Sequence, residues 1–415
     1  MSVSRPTGLK EQRFILVSIV LLIITHSFSH LFGGTGYGET MDGGALARKV
    51  LLVIYLSSLL LATRDLTNYV TVIKRTWLLW VLVALSIVSV SWASLPELTF
   101  RRSIALMLST AYGVYIADKV EMEEMLYLLA RVFAVIIVIN LFVIFVFPLY
   151  GVHQSGHHLG AWRGFFAHKN TLGQMMLFAG LIYFTLAMHG DRFHRKYWIG
   201  FVVSGALVLK SHSQTSLLVL FITCGCTPFL KIIRWPGLLS KALCIFGFIF
   251  IAIFSCIVAI NIEEITAIFG RDATFTGRDM IWKEGLTMIR EQPWLGFGFG
   301  SEWIHDSWGF IPAWYANPDK VLGLHSGYLE LLAQLGITGG VLYGVVFVYM
   351  SIRAVLLIKR SEGVVVYWPI YYLVFLSVYN FFERLILQQN SFIWIMFVMV
   401  LVWVSAPLQK KEHLI

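Results

Sequence analysis

From Met125 to Pro148 the chain reads MLYLLARVFAVIIVINLFVIFVFP, 24 residues in which Arg131 is the one formal charge. A bilayer's hydrocarbon core is about 30 Å thick and roughly 20 helical residues cross it, so this run is long enough to span one. Working outward, apolar windows of the same character recur near 14–32, 46–63, 76–94, 103–117, 171–188, 197–209, 216–230, 240–260, 336–357, 365–383 and 391–408, which with the first makes twelve candidate spans. The windows at 103–117, 197–209 and 216–230 are short, and predict helices that tilt, break or continue into their flanks. Composition agrees: of 415 residues 58% are hydrophobic and 13% charged, with a mean hydropathy of +0.76. A soluble domain carries about 25% charged residues, so the sequence predicts an all-α polytopic membrane protein. The same balance excludes a disordered chain, a collagen-like repeat and a secreted disulfide scaffold.

The net charge of +9 would suit nucleic acid if the basic residues were clustered. They are spread instead through short connections, where Lys and Arg set orientation. With the N-terminus cytoplasmic, 17 of the 32 Lys and Arg fall inside and 8 in short outer loops, with five in one long loop and two within spans. That bias predicts both termini cytoplasmic, a lipid bilayer as the main partner and no nucleic acid. Arg5, Lys10 and Arg13 precede the first run, but its length and the lack of a small-x-small cleavage site make it a retained span rather than a signal peptide. Cys224, Cys226, Cys244 and Cys256 lie in or beside apolar runs and read as buried small hydrophobes.

One connection differs from the rest. From about Asn261 to Gly336 the chain is polar, aromatic and rich in Gly and Pro, and the topology puts it outside, between the ninth and tenth spans. Loops of this length are functional or disordered. Trp282, Trp294, Trp303, Trp308 and Trp314, with Phe297, Phe299, Phe310 and Tyr315, give it the apolar mass to pack. Residues 278–290 read as a helix, with Ile281, Met288 and Ile289 near one stripe. The chain thus divides into helices 1–9 (1–260), the loop (261–335) and helices 10–12 (336–415), all within a single membrane domain. The two halves carry no matching Gly/Pro-interrupted spans, which weighs against an inverted-repeat transporter.

Polar groups able to do chemistry gather on the outer side. The loop holds Thr276-Gly277-Arg278-Asp279-Met280-Ile281-Trp282, then Pro293-Trp294-Leu295-Gly296-Phe297-Gly298-Phe299-Gly300, then Leu324-His325-Ser326-Gly327-Tyr328-Leu329-Glu330. No strand precedes the glycines and no Gly-Lys-Ser/Thr comes after them, so they do not form a nucleotide-binding loop. His325 heads a helix, where a neutral imidazole serves either as general base toward a hydroxyl or as a hydrogen-bonded cap. Arg278 offers a planar fork of donors to a diphosphate, or an ion pair to Asp279 or Asp272. A second patch runs from His153-Gln154-Ser155-Gly156-His157-His158 to Trp162-Arg163-Gly164-Phe165-Phe166-Ala167-His168-Lys169-Asn170. Without a carboxylate or Cys among its histidines it argues against a metal. Arg163, His168, Lys169 and Asn170 read as donors to an anionic or sugar ligand, or as a solvated interfacial loop. A third string, Lys210-Ser211-His212-Ser213-Gln214-Thr215-Ser216, is pinned between apolar runs, where polar groups are costly unless they face a cavity or partners.

Taken together, Phe166-Ala167-His168-Lys169-Asn170-Thr171-Leu172-Gly173, the Gly277-Arg278 and 293–298 segments, His325-Ser326-Gly327 with Gly336, and a degenerate Asn-x-x-Glu element at Asn380-Phe381-Phe382-Glu383 give a chain that resembles the O-antigen ligase and polymerase family of bacterial envelope glycan assembly. It looks closest to the family's exopolysaccharide polymerases. The resemblance, which spans about 150–400, implies a lipid-sugar-using glycosyltransferase of the GT-C type in the bacterial inner membrane, with a periplasmic catalytic loop. It implies a glycan donor linked to undecaprenyl diphosphate, an acceptor that is another glycan, lipid A core or protein, no cofactor and no metal, with other polysaccharide-assembly membrane proteins as partners. His325 matches the family's catalytic base and Arg278 its diphosphate-binding arginine, while Trp282 stands later in the same motif. Where the family often has Ser-Arg, this chain has Ser213-Gln214, so that Lys210 or Lys169 is expected to supply the second cation, with Arg163 as a further choice. A transporter of an anionic or lipid substrate is the rival reading. It would place ionisable groups near the bilayer midplane, where only Arg131, Arg353 and Glu383 are visible.

Overall fold

A computed structural model describes residues 15, 17–19, 45–154, 158–189, 194–234, 278–301, 323–361, 363 and 365–407. The described residues are helical, with one isolated β-bridge between Val152 and Trp162. The helices are α1 (Ala45–Ala62), α2 (Leu66–Arg75), α3 (Trp77–Val88), α4 (Pro96–Lys119), α5 (Met122–Val146), α6 (Lys169–His189), α7 (His194–Lys210), α8 (Gln214–Gly225), α9 (Thr227–Ile232), α10 (Arg278–Glu291), α11 (Gly327–Arg360), α12 (Trp368–Tyr379) and α13 (Phe392–Ser405). Among the described residues five helical stretches are long and apolar enough to cross a membrane: Leu46–Arg75, Met122–Val146, Lys169–Met188, Gln214–Ile232 and Gly327–Arg360. The chain is a multi-pass membrane protein. The expected span at 240–260 lies outside the described residues, as do Cys244, Cys256 and most of the span at 14–32.

Local chemistry sets the helix limits. The apolar run that begins at Met125 lies in α5, with Glu123 and Glu124 in the first turn beside the positive helix end. The helix stops at Phe147, which Pro148 forces out of helical backbone, at φ −125° and ψ 62°. The short window at 103–117 lengthens into α4, which starts at Pro96 and ends at Lys119. The window at 216–230 instead breaks into α8 and α9 at Cys226.

At the centre, α12 and α13 are buried along nearly their whole length, with Trp368, Tyr372, Phe375 and Phe392 packed edge-on around Phe178 of α6. α11 starts in the long loop, nine residues before the apolar window, and kinks at Gly336 (φ 63°, ψ −166°). The 293–298 segment fills that kink. Ile337 and Thr338 donate backbone N–H bonds to the carbonyls of Pro293 (2.8 Å) and Trp294 (3.2 Å), and Phe297 and Gly298 donate to Ala333 (2.9 Å) and Gln334 (3.0 Å). A Cβ at Gly336 would sit 2.3 Å from the Trp294 backbone, so only glycine allows this approach. The glycine-rich segment therefore braces a helix.

Candidate functional site

The site is built on the turn that leads into α11. His325 has φ +47°, a left-handed backbone rare for a residue with a side chain. Ser326 is the N-cap, accepting from the Leu329 N–H, while its own hydroxyl donates to the Asn380 carbonyl at 3.3 Å. The Gly327 N–H donates to the same carbonyl at 2.8 Å. Asn380 is fully buried at the end of α12; its side-chain oxygen accepts from Leu385 (2.9 Å) and Ile386 (3.2 Å) and its amide donates to Leu376 (2.7 Å). A Cβ on Gly327 would fall 2.0 Å from that side-chain oxygen, which explains the glycine after His-Ser. The turn aims the partly exposed His325 ring at Glu383, with Nδ1 3.5 Å from Oε2. The cap is thus Ser326, and His325 faces a carboxylate.

A buried ion pair forms the floor beneath this turn. Arg384 Nη1 donates to Glu330 Oε1 at 2.6 Å, with 6% and 2% of the two side chains exposed. Glu330 Oε2 accepts the Leu324 N–H at 2.7 Å, and Gln334 donates to Oε1 at 3.3 Å. Removing one member would strand a buried charge, which is why such a pair fixes geometry even where its net stabilisation is small. The expected loop helix, α10, docks on the other side: Trp282 Nε1 donates to the Leu324 carbonyl at 2.9 Å, and Ile281, Leu324 and Ala333 form a small apolar cluster. Arg278 opens α10 one turn before Trp282. The side chains of Arg278 and Asp279, and Asp272 as a whole, lie outside the described residues.

The second and third patches meet each other here. The Trp162 N–H donates to the Lys210 carbonyl (2.9 Å), and the Lys210 ammonium lies 5.8 Å from the centre of the Trp162 ring. Lys169, nearly buried, donates to the His212 carbonyl at 3.1 Å. Ser216 reaches Tyr379 of α12 at 3.5 Å. Arg163 Nε is tied to the Tyr150 carbonyl (2.7 Å), and the Phe165 N–H to the buried side chain of Asn140 (3.0 Å). Asn170 donates its N–H to His168 Nδ1 at 3.2 Å in the first turn of α6, and Gln214 is exposed at the start of α8.

His153, His158 and His168 pack with ring centres 5.2–5.6 Å apart, and His157 lies outside the described residues. Burial, then His158, His153 and Lys169, push His168 down to about 3, and only Glu383 acts the other way. Burial, then Arg163, His158 and Lys169, push His153 down to about 4. These two imidazoles are neutral near pH 7. Glu383 thus faces His325 on one side and acts on His168 on the other, joining two patches that lie far apart in sequence. Among the described residues no three His, Cys, Asp or Glu side chains come together as a metal-binding group.

Sequence reasoning missed Glu330 and Asn140, counted Arg384 only as a loop cation, and took Asn380 only as part of a degenerate motif and Glu383 as part of that motif or as an in-span charge. The available signal was polarity within apolar stretches, where an unpaired group is costly. Chemically, an imidazole whose Nδ1 faces a carboxylate keeps Nε2 open to accept a proton.

Residues 199–344, from α7 through the kink of α11, match the family model described as O-Antigen ligase. The chain is also similar to the exopolysaccharide production protein ExoQ of Rhizobium meliloti (strain 1021), at 24% identity over 278 residues. That alignment covers 63% of this chain and spans 61% of the length of the relative.

Proposed function

We propose that the chain is a member of the O-antigen ligase and polymerase family and that it transfers an oligosaccharide from undecaprenyl diphosphate to an acceptor hydroxyl, polymerising exopolysaccharide or O-antigen repeat units at the periplasmic face of the bacterial inner membrane. The observation that carries this reading is the His325–Glu383 pair, 3.5 Å apart at the mouth of a helix that continues into an apolar span.

His325 Nε2 takes the proton of the acceptor hydroxyl as its oxygen attacks the anomeric carbon of the donor. Glu383 holds the proton on Nδ1 and offsets the positive charge that develops on the ring, as a carboxylate does behind any histidine base. The bond from the anomeric carbon to the diphosphate oxygen breaks, and the diphosphate leaves with its electron pair. Arg278 binds that leaving group, and Lys169 supplies the second cation in place of the arginine that Gln214 replaces. Its nearness to His168, which Glu383 also reaches, favours Lys169 over Lys210, whose ammonium rests over Trp162. Fixed cations at the leaving group lower the barrier because the charge builds there in the transition state. Arg163, Asn170 and Trp282 line the approach for the glycan.

The test is an assay of purified protein with undecaprenyl-diphosphate oligosaccharide and no other acceptor. A ladder of lengthened lipid-linked glycan is expected, with His325→Ala slower by about 10²–10⁴-fold. Transfer that appears only once lipid A core is added would make the protein a ligase. A His325→Ala rate near that of the wild type at equal expression would remove the histidine from the mechanism.

A further inference from the structure

Two cations at the end of the bundle that holds His325 are only half engaged. Arg163 commits Nε to the Tyr150 carbonyl (2.7 Å), and no described residue accepts from its two Nη groups. Lys210 closes α7 with its ammonium 5.8 Å from the centre of the Trp162 ring, and among the described residues no carboxylate or carbonyl accepts from it. Nor is an acid near in the sequence. Between Met125 and Asn261 the one carboxylate is Asp191, which comes just after His189, the far end of the helix that Lys169 opens. Glu383, from another part of the chain, is turned to His325 and His168. The corner thus carries two like charges that the described residues leave to be neutralised by something else.

Its surroundings are apolar and open. Phe145, Phe147, Leu149, Tyr150 and Leu159 are 49–71% exposed, and Phe145 meets Trp162 edge-on with ring centres 5.7 Å apart. Cations mixed with amphipathic rings suit the headgroup level of a bilayer, between acyl chains and phosphates. α5 ends at Val146 and α7 at Lys210, so both helices leave the apolar layer here. The backbone joins them: the Trp162 N–H donates to the Lys210 carbonyl (2.9 Å), and Arg163 and Gly164 donate theirs to Gly151 (2.9 Å each). The cations therefore flank one indole, Arg163 through the chain and Lys210 over the ring. An occupant must bring negative charge at headgroup depth and an apolar body below it. A zwitterionic headgroup brings a cation of its own, for which the corner offers no carboxylate.

We propose that Arg163 and Lys210 hold the phosphate of an anionic phospholipid of the phosphatidylglycerol type, whose acyl chains lie over Phe145, Phe147 and Leu149. The two Nη groups of Arg163 supply paired donors to the phosphate oxygens, and Lys210 supplies a point charge. Such a lipid forms the bilayer-side wall of the approach that Arg163 borders, and it steadies the loop that leads to His168. The inference depends on the chain's place in a membrane and not on the donor assigned above.

The probe is phosphatidylglycerol with a diazirine near the glycerol end of one acyl chain, in phosphatidylcholine vesicles holding the purified full-length protein. Crosslinks are expected on residues 145–163 and are displaced by unlabelled phosphatidylglycerol. A phosphatidylcholine probe of the same build is expected to label this segment no more than the other lipid-facing helices. Lys210→Gln and Arg163→Gln should each lower the labelling by about fivefold, the usual effect of one basic residue at an anionic surface, while Arg48→Gln on α1 leaves it unchanged. Lys210→Arg should restore it, which separates lost charge from lost folding. Equal labelling by the two probes would overturn the proposal, as would undiminished labelling when Arg163 and Lys210 are both changed to Gln. Displacement by inorganic phosphate would make the corner a site for free anions, and stronger displacement by a polyprenyl phosphate would give it to the donor; either result removes the phospholipid.

Discussion

Two buried asparagines, one inside α5 and one capping the end of α12, do the same job. Asn140 on α5 donates to the carbonyl four residues back (2.8 Å) and accepts the Phe165 N–H, holding the loop that leads to His168. Asn380 at the end of α12 donates to its own i−4 carbonyl (2.7 Å), accepts two N–H groups and holds the His325 turn through its backbone. Each lies against a glycine, Gly164 and Gly327, whose Cβ would stand 2.0 Å from the amide oxygen. The segments beyond the two amides differ. Soon after Asn380 come Glu383 and Arg384, which engage His325 and Glu330, whereas the segment after Asn140 is apolar up to Pro148. The device is a general way to hang a polar loop from a membrane helix, and chemistry is added only where a carboxylate stands behind the loop.

The sharpest way to break the comparison is to remove the amides. Asn380→Leu strands two buried N–H groups and is expected to cost roughly 2–6 kcal/mol of stability together with all measurable transfer. Asn140→Leu strands one, at roughly 1–3 kcal/mol, and is expected to retain partial activity. Thermal unfolding in detergent and the ladder assay read both; equal losses would mean that the two asparagines are not different in kind. Glu383→Gln tests the added chemistry without touching either anchor. It should lower kcat by about a hundredfold with little change in KM, and a KM effect alone would make Glu383 a substrate contact.

The glycines refine the comparison. Gly327 has helical backbone, while Gly164 sits at φ +58°. Alanine at either position is expected to destabilise, because each Cβ would meet the side-chain oxygen of its asparagine. Gly164→Ala should be the worse of the two, since a left-handed alanine adds a cost of about 1 kcal/mol or more to the clash, and thermal unfolding in detergent reads the difference.

Hydropathy made the membrane architecture legible, because each described helix with a long apolar window had to be one. It misplaced the start of α11, where Glu330 and Gln334 lower the window average although both are buried, one in an ion pair and the other bonded to it. His325, His168 and Lys169 were legible as polar residues at the ends of apolar runs; the structure brings Glu383 to His325 and His168, and Lys169 to His168. Asn140 was not legible, since one amide inside an apolar run leaves no pattern. The Glu330–Arg384 pair was invisible because its partners lie 54 residues apart, and only the fold brings them within 2.6 Å. The triple-glycine segment was legible only as something other than a nucleotide-binding loop, because its spacing belongs to the kink that it fills.

Acid gives the mildest test and separates the two halves of the site. His168 and His153 are held near 3 and 4, below the ordinary value of about 6.5, so the unfolded chain binds protons that the folded chain refuses. Stability contributed by this cluster is therefore present above pH 6.5 and is lost as pH falls from 6.5 toward 4. Loosening should begin where His153, His158 and His168 crowd Arg163 and Lys169, before it reaches the 323–327 turn, where the Glu383 carboxylate is in direct contact. Amide hydrogen exchange at pH 7 and pH 4.5 is expected to show that order. His168→Gln should flatten the fall of the melting temperature across the same window, because the group most reluctant to charge has been removed. An unchanged slope would move the acid sensitivity out of the histidine cluster, and with it the claim that the Asn140 loop is the weaker of the two anchors.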